Sequence, residues 1–116
     1  AVILAEDFQR IGADHILCTD DGTMGEKGFV TAALKRRLSQ GTVDLICACG
    51  PHMMLKGVVE LAQQFQVPCQ VSLEERMGCG VGACLVCACK TVKNGEEYLS
   101  HVCKDGPVFQ AEDVIW

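Results

Sequence analysis

Four cysteines in the last third of the chain constrain its fold more than any other feature. Cys79, Cys84 and Cys87 lie in the segment GCGVGACLVC, and Cys103 follows after fifteen residues. This is the C-x4-C-x2-C spacing, with a distant fourth cysteine, that is typical of plant-type [2Fe-2S] ligation. The glycines of the segment leave the backbone bare, so that the chain can wrap around a cluster and direct N–H groups at sulfur. The pattern therefore predicts a [2Fe-2S] centre held by these four cysteines.

Two alternatives to an iron–sulfur cluster remain from the residues alone. Four thiolates also bind structural zinc, although zinc sites usually draw their ligands from two short knuckles and Cys103 has no cysteine two to four residues away. Unligated or redox-paired thiols are the second alternative, but a Cys84–Cys87 exchanger would need to lie at a helix N-terminus, which is not predicted here. Cys89, two residues beyond Cys87 on a predicted strand, is either a competing ligand or a buried free thiol.

Composition and charge exclude several classes of protein. The nine cysteines cannot all pair within one chain because their number is odd, which disfavours a secreted disulfide scaffold. The net charge of -5 is a poor match for nucleic acid or an anionic membrane surface. No apolar run approaches the roughly 20 residues of a membrane span, and no signal sequence is recognisable at the start. We therefore expect a cytoplasmic protein that binds neither nucleic acid nor membrane.

Helix and strand patterns alternate along residues 1–73. They predict helices at Ala1–Arg10, Gly28–Ser39 and Pro51–Gln64, and strands at His15–Thr19, Val43–Ala48 and Cys69–Leu73. Strands joined by helices imply an α/β fold with a parallel sheet. Ligands of such sheets bind beyond the carboxyl ends of the strands, where this chain has the turns 20–23 and Cys49-Gly50-Pro51. These turns are either ligand loops or ordinary strand-to-helix connections. No glycine-rich nucleotide loop follows a strand before His15.

Residues 74–116 read as a small β-rich unit. Strands at Leu85–Val92 and Glu97–Val102 would pair across the turn Lys93-Asn94-Gly95. A unit of this size with few apolar side chains usually needs a metal or disulfides for stability. The sequence thus predicts two domains, 1–73 with a partial parallel sheet and 74–116 with the cluster.

Several motifs resemble those of a known family. The runs SLEERMGCGVGACLVCACKT and HVCKDGPVF are similar to the cluster domain of the electron-transfer subunits of bacterial NAD-dependent dihydroorotate dehydrogenase, type B. Upstream, TDDGTMGEKGFVT and CACGPHMMLKGV resemble the pyridine-nucleotide domain of those subunits, which belong to the ferredoxin-reductase superfamily. Related ferredoxin–NADP reductase and sulfhydrogenase flavoprotein subunits share this architecture and are the alternative.

The resemblance implies a function in electron transfer. In the family, dihydroorotate reduces the FMN of a separate catalytic subunit, and electrons pass through the [2Fe-2S] cluster to FAD and then to NAD. Position by position, Cys79, Cys84, Cys87 and Cys103 match the family's cluster ligands. Cys49, Gly50 and Pro51 match the loop near the nicotinamide and the flavin. The family's FAD-binding barrel and glycine-rich nucleotide loop have no counterpart here, so the resemblance implies that this chain alone has an incomplete FAD and NAD site.

Overall fold

The computed structural model describes residues 2–116, and the chain divides into two units. The first unit ends at Gln40 and the second comprises Gly41–Trp116. The predicted start of the first helix at Ala1 lies outside the described residues. Within residues 2–116, none of the helices combines the length and the apolar character that crossing a bilayer requires.

Over residues 2–40, the first unit contains two helices and a pair of very short parallel strands. Its elements are α1 (Ala5–Arg10), β1 (Cys18–Thr19), β2 (Glu26–Lys27) and α2 (Val30–Gln40). The strand predicted at 15–19 is therefore shortened to two residues, and β2 was not predicted. Gly25 has a φ of 71° and packs so closely on the Leu17 carbonyl that no side chain would fit there. This close approach returns the chain alongside β1, where the Glu26 N–H donates to the Leu17 oxygen at 2.8 Å.

The second unit is built on a three-stranded mixed sheet and a hairpin. Its elements in chain order are β3 (Ile46–Cys49), α3 (His52–Gln64), β4 (Cys69–Ser72), β5 (Ala88–Lys93), β6 (Glu96–His101), α4 (Val102–Asp105), β7 (Val108–Gln110) and a 3-10 turn (Ala111–Asp113). The sheet order is β3-β4-β7, in which β3 and β4 are parallel and β7 is antiparallel to β4. The fold is thus mixed α/β with small sheets, as the sequence predicted in outline. The last strand, β7, follows the segment that carries the four predicted ligands. It pairs with β4, which precedes that segment.

One apolar stripe of α3 forms much of the core. Its buried residues are Leu55, Val58, Val59 and Ala62, which recur at the spacing of one helix face. On the sheet, Ile46, Cys69 and Val71 are also buried. Pro51 sits at the N-cap of α3, a position where its missing N–H costs little. The carboxyl ends of β3 and β4 therefore open onto the start of this helix.

The hairpin β5–β6 follows the sequence prediction closely at its turn. Lys93 pairs with Glu96 across Asn94 and Gly95, whose φ angles of 54° and 81° are those of a two-residue turn with both central residues left-handed. The first strand begins at Ala88 rather than Leu85, because the residues before it belong to the cysteine loop. The second ends at His101 rather than Val102, where the unpredicted helix α4 begins.

Candidate metal centre

The first two predicted ligands lie in a loop that connects β4 to β5 without regular secondary structure. The backbone N–H groups of Val81 and Ala83 donate to the Sγ of Cys79 at 3.4 and 3.2 Å. These two bonds, of which the one from Val81 has the larger effect, lower the pKa of the Cys79 thiol to about 6. The backbone and side chain of Cys84 contribute to the same shift. The loop therefore favours a thiolate at Cys79, which is the form that binds metals.

Two further glycines of the loop lie where a side chain would be crowded or strained. A Cβ at Gly78 would stand 3.0 Å from the Sγ of Cys84, which is closer than nearly all real contacts of a Cβ. Gly80 has a φ of 70°, in the left-handed region that glycine adopts readily. The glycines of this segment therefore have two roles in the structure. Gly78 leaves room for the Cys84 thiol, and Gly80 adopts the left-handed conformation of a turn.

The other two predicted ligands meet where β6 passes into α4. The Val102 N–H donates to the Cys87 carbonyl at 3.0 Å, which ties the end of the loop to the residue before Cys103. A hydrogen bond between the two thiols, followed by burial, raises the pKa of Cys103, and the Gly82 N–H opposes that rise. The negative charge of a Cys79 thiolate also raises the pKa of Cys103. The His101 N–H donates to the Asp105 carboxylate at 2.7 Å, which closes the turn around Cys103.

The four predicted ligands lie as two neighbouring pairs of thiols. The Cys84 thiol helps to lower the pKa of Cys79, the Cys87 thiol raises that of Cys103, and neither pair forms a disulfide. Throughout residues 2–116, no three His, Cys, Asp or Glu side chains gather closely enough to hold one metal ion. The donor chemistry and the glycine cradle are nonetheless those that an iron–sulfur cluster requires, since Cys79 already receives N–H bonds at sulfur.

Cys89 lies outside this arrangement. It is half-buried on β5, and burial, then the charge of Glu75, raises the pKa of its thiol. It contributes to the wall of a separate cavity of about 190 Å³ that also touches Gly50 and Glu74. Cys87 precedes β5, so the two cysteines do not share one strand as the sequence predicted.

The turn Cys49-Gly50-Pro51 lies at the carboxyl end of β3, as predicted. The exposed Cys49 donates its S–H to the Glu74 carboxylate, with 3.7 Å between sulfur and oxygen. Gly50 has a φ of 152° and faces the end of the Met54 side chain. The sequence analysis did not identify Glu74. The available signal was that the predicted parallel strands at 43–48 and 69–73 end at the same edge of a sheet; the register, in which Ser72 pairs with Cys49, places the residues after β4 near this turn.

The second strand-end turn, at 20–23, belongs to the first unit. The Asp21 carboxylate accepts bonds from the N–H and the hydroxyl of Thr23 at 3.0 and 2.7 Å. The hydrogen bond from the Thr23 N–H, and to a smaller extent the one from its hydroxyl, lowers the pKa of Asp21. These contacts shape the turn locally.

Comparison with known proteins gives a consistent result. Residues 74–115 match the family model described as the iron-sulfur cluster binding domain of dihydroorotate dehydrogenase B. The electron transfer subunit of dihydroorotate dehydrogenase B (NAD(+)) from Caldanaerobacter subterraneus subsp. tengcongensis is 43% identical over 113 residues, which is 97% of this chain and 44% of that protein. The subunit of the same name from Bacillus velezensis is 46% identical over 112 residues, 97% of this chain and 42% of the relative.

A solved structure is also similar over nearly the whole chain. It is a chain of an NADH-dependent reduced ferredoxin-NADP oxidoreductase, studied for flavin-based electron bifurcation, with a TM-score of 0.79 and 33% identity. The match covers 98% of this chain and 40% of that one. The chain thus spans less than half the length of the relatives it matches.

These similarities define the chain as part of an iron–sulfur oxidoreductase subunit. More narrowly, it belongs to the family of dihydroorotate dehydrogenase B electron-transfer subunits, so the resemblance seen in its motifs is confirmed. The curated relatives do not favour the ferredoxin–NADP reductase alternative, although a reductase of that kind shares the fold.

Proposed function

We propose that this chain carries electrons within a dihydroorotate dehydrogenase B through a [2Fe-2S] cluster bound by Cys79, Cys84, Cys87 and Cys103. The strongest support is that the backbone N–H groups of Val81 and Ala83 donate to the Cys79 sulfur within a glycine-rich loop. Such bonds stabilise thiolate and sulfide charge, and they are one of the means by which proteins set the potential of a cluster.

The chain's own residues would each have a distinct part in holding the group. Cys79 is held ready as a thiolate by the loop amides, and Cys84 lies beside it against Gly78. Cys87 is 2% exposed, so its side of the site is shielded from water, and α4 supplies Cys103. When bound there, the cluster would relay single electrons from the FMN of a catalytic subunit to FAD, from which NAD is reduced.

The partner in this proposal is the FMN-containing catalytic subunit of dihydroorotate dehydrogenase. Support comes from the relatives, which are named as electron transfer subunits and so imply an assembly with a catalytic subunit. The cytoplasmic location that the odd cysteine count favours stays a prediction.

We assign the turn Cys49-Gly50-Pro51 to the nicotinamide and flavin side of the same subunit. The contact between Cys49 and Glu74 supports this, because it places a thiol and a carboxylate together at the carboxyl ends of two parallel strands. On this proposal residues 1–73 are part of a pyridine-nucleotide domain and residues 74–116 are a cluster domain. The chain alone would supply an incomplete FAD and NAD site, since no glycine-rich nucleotide loop precedes His15.

Anaerobic metal analysis tests the cluster directly. We expect a red-brown protein that contains iron and acid-labile sulfide in equal amounts and gives an electron paramagnetic resonance signal after reduction by dithionite. The variant Cys84→Ala should lose the signal, whereas Cys47→Ala, which removes an exposed thiol of β3, should retain it. A colourless, zinc-loaded protein prepared anaerobically would refute the proposal and favour a structural zinc module.

A further inference from the structure

Gly82, in the middle of the cysteine loop, lies directly under the side chain of Lys104. A Cβ added to Gly82 would stand 2.8 Å from the Cδ of Lys104 and 3.3 Å from its Cβ. The methylenes of the lysine therefore cover the backbone of the loop at a place where no other side chain would fit. Gly82 has a φ of 80°, so its conformation and its contact both require glycine.

The residue beside Lys104 on α4 is the predicted ligand Cys103. The contact between Lys104 and Gly82 is thus the point at which the turn carrying Cys103 meets the loop. Since Cys103 is far from the other ligands in sequence, this point joins the two separate parts of the candidate metal centre.

Lys104 also brings a charge to the part of the loop that has none of its own. The segment 78–87 contains no charged residue. The Lys104 side chain is exposed, so its ammonium stays in water while its stem lies on Gly82. The nearest opposing charge in its turn is Asp105, whose carboxylate is engaged with the His101 N–H at 2.7 Å.

We propose that Lys104 is a positioning residue for the candidate metal centre. Its methylenes hold the loop 78–84 against the turn of Cys103, and its ammonium gives this rim of the site a positive charge. The proposal rests on the proposed function, because it assigns a role toward a cluster held by the four cysteines. Reduction adds one negative charge to such a cluster, and a nearby cation favours the reduced form to a degree that salt weakens.

Three substitutions separate the stem from the charge. Lys104→Ala removes both, Lys104→Met retains most of the stem without the charge, and Lys104→Arg retains both. Lys56→Met serves as a control because Lys56 is an exposed lysine on α3 whose side chain is not among the atoms that crowd the glycines of the cysteine loop.

The contribution of the stem is measured in two ways. Iron release to a chelator from the loaded protein should be about tenfold faster in Lys104→Ala and close to wild type in Lys104→Met. In the metal-free protein, hydrogen exchange at the Gly82 amide should be faster in Lys104→Ala than in Lys104→Met. Equal rates in these two variants would overturn the positioning role.

The contribution of the charge is measured by a redox titration with dithionite, followed by paramagnetic resonance. At a fixed potential and low salt, the ratio of reduced to oxidised cluster should fall about two- to fivefold in Lys104→Met. Lys104→Arg and Lys56→Met should match wild type, and high salt should shrink the difference. An unchanged ratio in Lys104→Met at low salt would overturn the electrostatic role. A wild-type protein that binds no cluster would instead refute the proposed function, while the exchange experiment on the metal-free protein would still decide the role of the stem.

Discussion

The sheet and the cysteine loop of the second unit are stabilised in different ways. On the sheet side, Leu55 and Val71 are 1% and 0% exposed and are enclosed by other apolar groups. In the loop, Val81 and Leu85 are 70% and 58% exposed, and the chain is shaped by backbone bonds to sulfur instead. The sheet is therefore specified by burial, whereas the loop is specified by its thiols and glycines. Changes in one should leave the other largely intact.

The largest effect is expected where a ligand is removed from the loop. Cys103→Ala should abolish cluster binding, because three thiolates remain for a group that needs four. Iron and sulfide analysis measures the loss, and circular dichroism of the metal-free protein should show that the sheet persists. Cys89→Ala is the matched control, since this half-buried thiol lies outside the loop. Loss of iron from Cys89→Ala would show that the ligand set has been assigned wrongly.

Truncation in the core should have the opposite outcome. Leu55→Ala is expected to lower the free energy of unfolding by about 2–5 kcal/mol, since a buried leucine is replaced by a cavity. Urea denaturation of the metal-free protein measures the change. The loaded variant should keep its iron content below the denaturation range. Met53→Ala, on the same helix but 77% exposed in the native protein, should change stability little. Equal losses in both variants would contradict the assignment of the core to this face of α3.

A buried polar pair in the hairpin provides a smaller effect. The hydroxyls of Thr91 and Ser100 are 2.7 Å apart, and both residues are buried. Thr91→Val should cost about 1–3 kcal/mol, because it leaves the Ser100 hydroxyl without its partner. Adding Ser100→Ala should recover part of this cost in a double-mutant cycle followed by urea denaturation. Strictly additive costs would mean that the two hydroxyls do not interact.

The smallest effect is expected at the hairpin turn. Gly95→Ala should destabilise the protein by about 1 kcal/mol, because φ at this position is 81°. No atom would lie within 4 Å of the added Cβ, so the cost comes from backbone conformation alone. Asn94→Gly, at the neighbouring left-handed position, should be nearly neutral by thermal denaturation. A neutral Gly95→Ala would argue against this turn geometry.

Sequence reasoning succeeded where a pattern was long or chemically specific. Helix α3 was predicted at 51–64 and spans His52–Gln64, because its apolar residues recur over several turns. The hairpin turn followed from Asn94-Gly95, which specifies its own conformation. The cysteine spacing and the surrounding motifs led to the family. The choice of Cys79, Cys84, Cys87 and Cys103 as ligands stays a prediction.

Short or tertiary features were missed for physical reasons. Strand β2 has two residues and helix α4 has four, which is too few for any periodicity to appear. The contacts of Cys49 with Glu74 and of Gly82 with Lys104 join residues far apart in sequence. They depend on how strands and turns meet in space. The predicted boundary at 73/74 stays a prediction.

The pairing of β7 with β4 bears on how such proteins could exchange parts. Val71 of β4 is the register partner of Phe109 of β7. The part of the chain after residue 74 therefore ends in a strand that pairs with β4, which comes before residue 74. A recombination event that replaced only residues 74–105 would leave this strand with its original neighbour. One that replaced everything to the C-terminus would bring in a foreign edge strand, whose side chains would have to match the recipient. Crossover points just before β7 should therefore be tolerated better than a complete swap.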